Sequence, residues 1–350
     1  MTQSTQSAVL FELEKPLRLV RLTLPPLKPG QVRVKIKYTC VCHTQLLEVR
    51  GKRGPDRFLP HTLGHEASGV VTEVGSDVRK VKVGDSVVLS WIKGSGADIP
   101  STVYESAEGK VNSGAISTFM EETITCENRV TPIPKEMPLR EAALLGCAVP
   151  TGSGIVRNTA KVKPGSSIAV FGIGGIGMSI LLAASISEPV MLIAVDVSEK
   201  KLEQAKRLGA THTVNAKSEN PVAKILELTE TSGVDYAFEA AGKRQTMEQA
   251  FEVTSARKGG LCVLAGNLPQ GEKVSIDPFE LIKGKKIVGT WGGETDADRD
   301  IPDYAQLFLS GKLNLSELLT HEYSLPDINK ALDALEKGEV GRAVINLNAH

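Results

Sequence analysis

The chain of 350 residues contains only five cysteines, at positions 40, 42, 126, 147 and 262. So sparse and odd a set excludes a disulfide framework. Residues 1–8 lack the basic-then-apolar order of a secretory signal. Reduced thiols in a cytoplasmic protein are therefore expected, serving as small buried hydrophobes or as metal and catalytic groups. No apolar run approaches the length of about 18 residues that reads as a membrane span. Neither charge is in excess, since 41 Lys and Arg balance 41 Asp and Glu. Without a basic surplus, nucleic acid is not an expected partner. Internal repeats and low-complexity tracts are also missing.

What is present divides into three zones. From about residue 8 to 150, short Val- and Ile-rich runs (32–38, 67–74, 86–91) alternate with turn residues such as Pro29-Gly30 and Val83-Gly84-Asp85. That rhythm predicts an antiparallel, barrel-like β domain. Within it, residues 92–115 are polar and rich in Gly and Ser, and are expected to form a long excursion outside the core. From about 153 to 288 strand and helix patterns alternate. Strands are predicted at 168–171, 192–195, 213–215, 234–239, 261–264 and 286–289. Helices are predicted at 176–186, 199–208, 221–230 and 245–256. Repeated βα units of this kind imply an α/β fold with a parallel sheet between helices. The tail carries two predicted helices, 303–310 and 327–337, and a strand at 343–347 that returns to the first zone. The expected organisation is one domain from 1–152 and 289–350, with a nucleotide-binding domain, 153–288, inserted.

A glycine turn opens the inserted domain. Phe171, ending a predicted strand, is followed by Gly172-Ile173-Gly174-Gly175-Ile176-Gly177 and then by a predicted helix. The strand-turn-helix context is what gives such a motif weight. Gly172 makes the tight turn, Gly174 lets the backbone approach a pyrophosphate, and Gly177 lets the helix pack on the sheet. Gly175 and Ile176 begin that helix, whose N-terminus favours an anion. Asp196 ends the next strand, 19 residues after Gly177. A carboxylate there accepts from both ribose hydroxyls of an adenosine and repels a 2′-phosphate, which favours NAD over NADP.

A second set of residues has metal chemistry. Cys42-His43-Thr44 follows the first strand run, His65-Glu66 follows Gly64, and Cys147 lies just ahead of the inserted domain. Two thiolates and an imidazole suit zinc, and three protein ligands leave one position open for catalysis. Taken singly, each residue reads equally well as a core cysteine or a satisfied histidine. Spacing alone leaves both readings open.

Together these motifs resemble the zinc-dependent alcohol dehydrogenases of the medium-chain dehydrogenase/reductase superfamily. The likeness runs nearly end to end and includes Gly84-Asp85, Leu208-Gly209-Ala210 and Gly341-Arg342. It implies a GroES-like β-barrel catalytic domain with an inserted Rossmann domain. It implies reversible hydride transfer between an alcohol carbon and NAD, with one catalytic zinc per subunit held by Cys42, His65 and Cys147. Glu66 would lie beside the metal and join its ligands transiently, and Thr44 would take the first proton. His43 and Arg342 would contact the pyrophosphate, and Lys201 the adenosine ribose. A homodimer or homotetramer would pair the sixth strands at residues 286–293, with Val288 and Trp291.

Three departures stand out against that family. No cysteine occurs between Cys42 and Cys126, so the four-cysteine structural zinc site of many members is impossible. Gln45 stands where an Asp commonly orients the zinc-bound histidine, and Leu47 where some members carry a relay histidine. Cys40, Cys126 and Cys262 fall at no ligand position and read as packing residues. His61, His212, His321 and His350 read as structural or surface groups.

The expected substrate is a small alcohol, specifically a polar, sugar- or polyol-like secondary alcohol. Arg50, Lys52 and Arg53 lie between two metal motifs. They offer either a site for an anionic group on the substrate or a solvated basic loop. Two other classes compete with this reading: a non-catalytic nucleotide-binding member of the fold, and a zinc-free quinone or enone reductase. The intact Cys42, His65 and Cys147 set argues against both.

Overall fold

The computed structural model describes residues 3–257, 259–269 and 271–348, so His350 lies outside the described residues. The strands up to the first long helix are β1 (Ser4–Leu10), β2 (Arg18–Thr23), β3 (Gln31–Val41), β4 (His61–Thr62), β5 (Glu66–Val74), β6 (Ser86–Ser90), β7 (Val103–Ser106), β8 (Gly109–Asn112), β9 (Glu122–Cys126) and β10 (Val130–Pro132). Helix α1 (His43–Val49) follows β3, and the short α2 (Leu139–Ala142) and α3 (Ala148–Gly154) follow β10. Strand and helix then alternate as β11 (Ser167–Phe171), α4 (Gly175–Ile186), β12 (Met191–Asp196), α5 (Glu199–Arg207), β13 (His212–Asn215), α6 (Pro221–Leu228), β14 (Tyr236–Glu239), α7 (Arg244–Glu252), β15 (Leu261–Leu264), α8 (Pro278–Ile282) and β16 (Lys286–Gly289). The tail adds α9 (Ala297–Leu309), β17 (His321–Ser324), α10 (Ile328–Glu336) and β18 (Ala343–Asn346).

The chain divides into two compact units: residues up to Cys147 together with those from Asp296 onward, and Ala148–Thr295. In the first unit, β1-β2-β7-β8-β4 close into a small barrel, and a second sheet runs β10-β6-β5-β3-β18-β17 with β9 also paired to β3. Val32, Val34 and Ile36 of β3 enter one core with Val87 and Leu89 of β6. Val41, at the end of the same strand, enters another core with Leu46 of α1 and Leu332 of α10.

The second unit is a six-stranded parallel sheet in the order β13-β12-β11-β14-β15-β16. Its four central strands, β12, β11, β14 and β15, are largely apolar, as strands covered on both faces require. Phe171, Ile193, Ala237 and Cys262, from four neighbouring strands, share one core. Burial pushes the Cys262 thiol up to about 12, as expected for an inert packing cysteine. Among the described residues, no helix is long and apolar enough to cross a membrane.

Two expectations are corrected. Residues 92–115 are not all excursion: β7 and β8 form a hairpin in the barrel, with Tyr104 opposite Val111 and both fully buried. The Tyr104 hydroxyl also accepts from the Ile124 amide at 3.0 Å. Each strand sends a single large side chain inward, too few to set up a visible period. Helix α9 starts at Ala297 instead of 303. The helix runs through Pro302, and the Asp296 carboxylate caps its first turn by accepting from the Asp298 and Arg299 amides.

The remaining excursion is tied down by carboxylates. Glu127 accepts from the Arg79 and Lys80 amides at 2.5 and 2.7 Å through one oxygen, and from the Ala97 amide at 3.1 Å through the other. Asp298 accepts from the Ser95 amide at 2.6 Å and pairs with Lys80. Burial alone would raise the Glu127 pKa, but these backbone donors hold it below its ordinary value. A depressed carboxylate stabilises the fold above its unfolded value of 4.5 and loses that contribution as pH falls through its folded value. Glu127→Gln should cost about 1–3 kcal/mol in urea unfolding at neutral pH. The gap from the parent protein should close in acid, and at neutral pH limited proteolysis should open the variant first within 92–101.

Candidate active site

The register of the second sheet gathers the chemistry at one edge. Glu66 at the start of β5 pairs with Ser90 at the end of β6, and Val41 at the end of β3 pairs with Ala343 at the start of β18. Thr39 of β3 lies opposite Ala67 of β5. Antiparallel pairing thus sets His65, Glu66, Cys42 and Arg342 around the same strand ends. Cys147 arrives from the 3₁₀ turn Ala143–Gly146. A Cβ on Gly146 would stand 2.4 Å from the Leu89 carbonyl and 2.7 Å from Glu66 Cβ, so only glycine lets this turn press so close to the sheet. The Ser90 hydroxyl donates to the Gly146 carbonyl at 2.7 Å. The Glu66 carbonyl accepts from Thr39 at 2.7 Å and from Thr118 at 3.4 Å.

Ligand atoms of Cys42, His65, Glu66 and Cys147 all lie within 4.8 Å of one another. His65 Nε2 is 3.2 Å from Cys147 Sγ. Two thiols, an imidazole and a carboxylate so close can share one ion, and the donor set suits zinc. A hydrogen bond from the Cys147 thiol holds Cys42 well below the ordinary thiol range despite burial, with His65 helping. The same hydrogen bond, with burial, pushes Cys147 up. Burial lowers the His65 pKa, but Cys42 outweighs it and the net direction is upward. Burial lifts Glu66 to about 6 against the pull of Arg342, whose guanidinium donates to Oε1. Oε2 of Glu66 is buried without a hydrogen-bond partner.

The Gln45 amide meets Nδ1 of His65, with Nε2 toward the ring and Oε1 buried without a partner. Turning the amide by 180° puts Oε1 against Nδ1–H. That is the arrangement a histidine ligating through Nε2 requires. Thr44 lies in the first turn of α1, its Oγ1 3.9 Å from Cys42 Sγ, and His43 opens the helix as an exposed residue.

In the second unit, the Gly172 amide donates to the Val195 carbonyl at 2.8 Å, and no side chain caps α4. The amides of Gly175, Ile176 and Gly177 therefore stand at an open helix start. A Cβ on Gly177 would be 1.9 Å from the Gly172 carbonyl, whereas one on Gly174 would meet nothing within 4 Å. The turn is closed on its inner side and open where a pyrophosphate would lie. Asp196 accepts from the Ile173 amide at 2.7 Å and from the Ser198 amide at 3.0 Å. Its carboxylate thus also braces the glycine turn. Lys201 lies one turn further, in the first turn of α5.

The basic loop is self-neutralised. Arg50 pairs with Asp333 at 2.5 Å and Glu336 at 2.7 Å, Lys52 with Glu336 at 3.8 Å, and Arg53 with Glu48 at 2.9 Å. His61 bonds Asp56 at 2.7 Å and takes no part in the metal cluster. Sequence reasoning missed Ser90, Thr39, Thr118 and Thr320. Each acts through backbone contacts and lies outside any motif.

Residues 28–135 match the family described as alcohol dehydrogenase GroES-like domain, and residues 172–310 the family described as zinc-binding dehydrogenase. The chain is 34% identical to S-(hydroxymethyl)glutathione dehydrogenase of Synechocystis sp. over 98% of its own length and 99% of the relative's. Among solved structures, an alcohol dehydrogenase zinc-binding domain protein from Burkholderia ambifaria is 31% identical with a TM-score of 0.92, covering 99% of this chain and 100% of that one. Benzyl alcohol dehydrogenase from Acinetobacter calcoaceticus is 30% identical with a TM-score of 0.89, covering 98% and 99%. The chain belongs to the zinc-dependent alcohol dehydrogenase family of the medium-chain dehydrogenase/reductase superfamily. It is an oxidoreductase of the GroES-like plus Rossmann architecture, and the cofactors of its family are NAD and a catalytic zinc ion.

Metal analysis should return about one zinc per chain. Cys42→Ser, His65→Ala and Cys147→Ser should each abolish turnover while NADH fluorescence still reports binding. Asp196→Asn should narrow the NAD-to-NADP ratio of kcat/KM by removing charge while keeping an acceptor for the Ile173 amide. Asp196→Ala should narrow it as well, with weaker binding of both dinucleotides because the glycine turn loses its brace.

Proposed function

We propose that the chain oxidises a neutral, polar secondary alcohol of polyol type, with NAD as hydride acceptor. The observation that carries the reading is the four-residue donor cluster, in which Cys42, His65 and Cys147 would hold a zinc ion and leave a position for the substrate. When bound there, zinc supplies Lewis acidity to the alcohol oxygen. The protein's own groups do the rest. Thr44 accepts the hydroxyl proton at Oγ1 and passes its own onward. Gln45 fixes the His65 ring through Nδ1. Leu47 supplies no proton path, so the outward route runs through the Thr44 hydroxyl alone among these side chains. The helix start at Gly175–Gly177 binds the pyrophosphate, with Asp196 and Lys201 on the adenosine side.

The neutral character rests on the loop at Arg50–Arg53, whose three cations are already paired with Glu48, Asp333 and Glu336. That pairing favours the solvated-loop reading over an anion site. The polyol character draws support from a likeness to 2R,3R-butanediol dehydrogenase from Bacillus subtilis, 27% identical with a TM-score of 0.80 over 98% of this chain.

The substrate is tested by following NADH absorbance with vicinal diols and polyols, benzyl alcohol and S-(hydroxymethyl)glutathione. The highest kcat/KM should fall on a diol or polyol, and Arg50→Ala should change KM for none of them selectively. A clear preference for the glutathione adduct would overturn the neutral-substrate reading.

Assembly uses the open edge of the parallel sheet. β16 is an edge strand, and beside it Phe279, Ile282 and Trp291 are 59%, 77% and 82% exposed. An unpaired edge with an apolar flank pairs readily with a second copy. Light scattering should give a dimer or tetramer, and Trp291→Glu should shift it toward the monomer.

A further inference from the structure

The Glu66–Arg342 pair is fixed from a direction that no motif marks. Thr320 lies immediately before β17, and the parallel pairing of His321 with Ala343 brings it level with Arg342. Its hydroxyl meets the Gly341–Arg342 backbone on three sides. Oγ1 accepts from the Gly341 amide at 3.0 Å and the Arg342 amide at 3.3 Å, and donates to the Arg342 carbonyl at 3.1 Å. The Thr320 amide donates to that same carbonyl at 3.0 Å. Arg342 is therefore anchored at its backbone before its side chain departs toward Glu66. The Arg342 side chain is 5% exposed and that of Glu66 is fully buried, so neither has solvent to turn to.

Two cations can claim that carboxylate. Arg342 holds Oε1, Oε2 is buried without a hydrogen-bond partner, and a carboxylate oxygen of Glu66 belongs to the same cluster as Cys42, His65 and Cys147. A carboxylate is itself a good zinc ligand, and if it closed the fourth position the site would be structural in kind. We propose that Thr320 is a positioning residue of the metal centre: by locking the Gly341–Arg342 backbone it keeps Arg342 on Glu66, and Glu66 off the open metal position. The proposal rests on the reading of Cys42, His65 and Cys147 as metal ligands.

The test uses the full chain loaded with cobalt(II) in place of zinc, because cobalt d–d absorption reports ligand number and type. Imidazole, titrated against those bands, measures access to the open position. Thr320→Val keeps the shape of the side chain and removes the hydroxyl, and Thr320→Ser restores it. Thr320→Val should weaken imidazole binding roughly tenfold and alter the cobalt bands, while Thr320→Ser stays within about twofold of the parent. Combined with Glu66→Gln, Thr320→Val should bind imidazole as Glu66→Gln does alone. The proposal is overturned if Thr320→Val titrates like the parent and merely melts earlier, which would leave the hydroxyl a purely structural role. It is equally overturned if the loss persists in the Glu66→Gln background. A parent chain that takes up no cobalt would overturn the metal reading itself, and the proposal with it. That outcome is separable because it precedes any comparison of variants.

Discussion

A carboxylate and a guanidinium, both cut off from water, face each other beside two thiols and an imidazole that could hold a metal ion. Taking such a pair out of solvent costs several kcal/mol per ion before their attraction is counted, and removing either partner strands the other. The surrounding structure is arranged to keep them matched. Glu66 is held by its carbonyl, through Thr39 and Thr118, and by its place at the head of β5. Arg342 is pinned just before β18, next to the strand that ends at the cysteine ligand. Burial disfavours the guanidinium charge, yet Glu66 and the neighbouring thiols hold its pKa above the ordinary value. The charge on Glu66 in turn depends on Arg342, since burial alone lifts that carboxyl toward neutrality.

Much of the fold was legible because its signals are local. The alternation that predicts strands at 192–195 and 261–264, and the glycine turn between β11 and α4, depend on residues adjacent in the chain. What stayed hidden depends on distant partners. Helix α1, which carries Thr44 and Gln45, has no side-chain cap and no acidic first turn, so nothing in its sequence announces a helix. Strand β17 has only intermediate and exposed residues, and becomes a strand by pairing with β18. The candidate metal-binding residues could be named as types, but only the sheet register and the close approach of the Gly146 turn show why residues 42, 65 and 147 meet.

Charge is the feature the sequence represented least faithfully. Arg50, Lys52 and Arg53 look like an open basic patch until α10 is folded against the loop and supplies Asp333 and Glu336. Glu127 looks like one more surface acid, yet its two oxygens organise a turn and an excursion. In each case the partner lies far away in sequence or is a backbone amide. A count of charges cannot see either, and so a net charge of zero conceals several pairs placed with care.

The order in which the chain is made bears on the pairing of β3. Its last residues, Tyr38–Val41, are flanked on one side by β18, and Arg342 lies 276 residues beyond Glu66. During synthesis at roughly 5–20 residues per second, the early β unit is complete in outline long before its final strand emerges. Through that interval β3 presents an unpaired edge beside two free thiols and a carboxylate without its cation. The whole nucleotide-binding unit has to pass before the gap is filled. The late arrival of β18 therefore makes the nascent chain, more than the finished protein, the form most exposed to mispairing and to capture of the wrong metal.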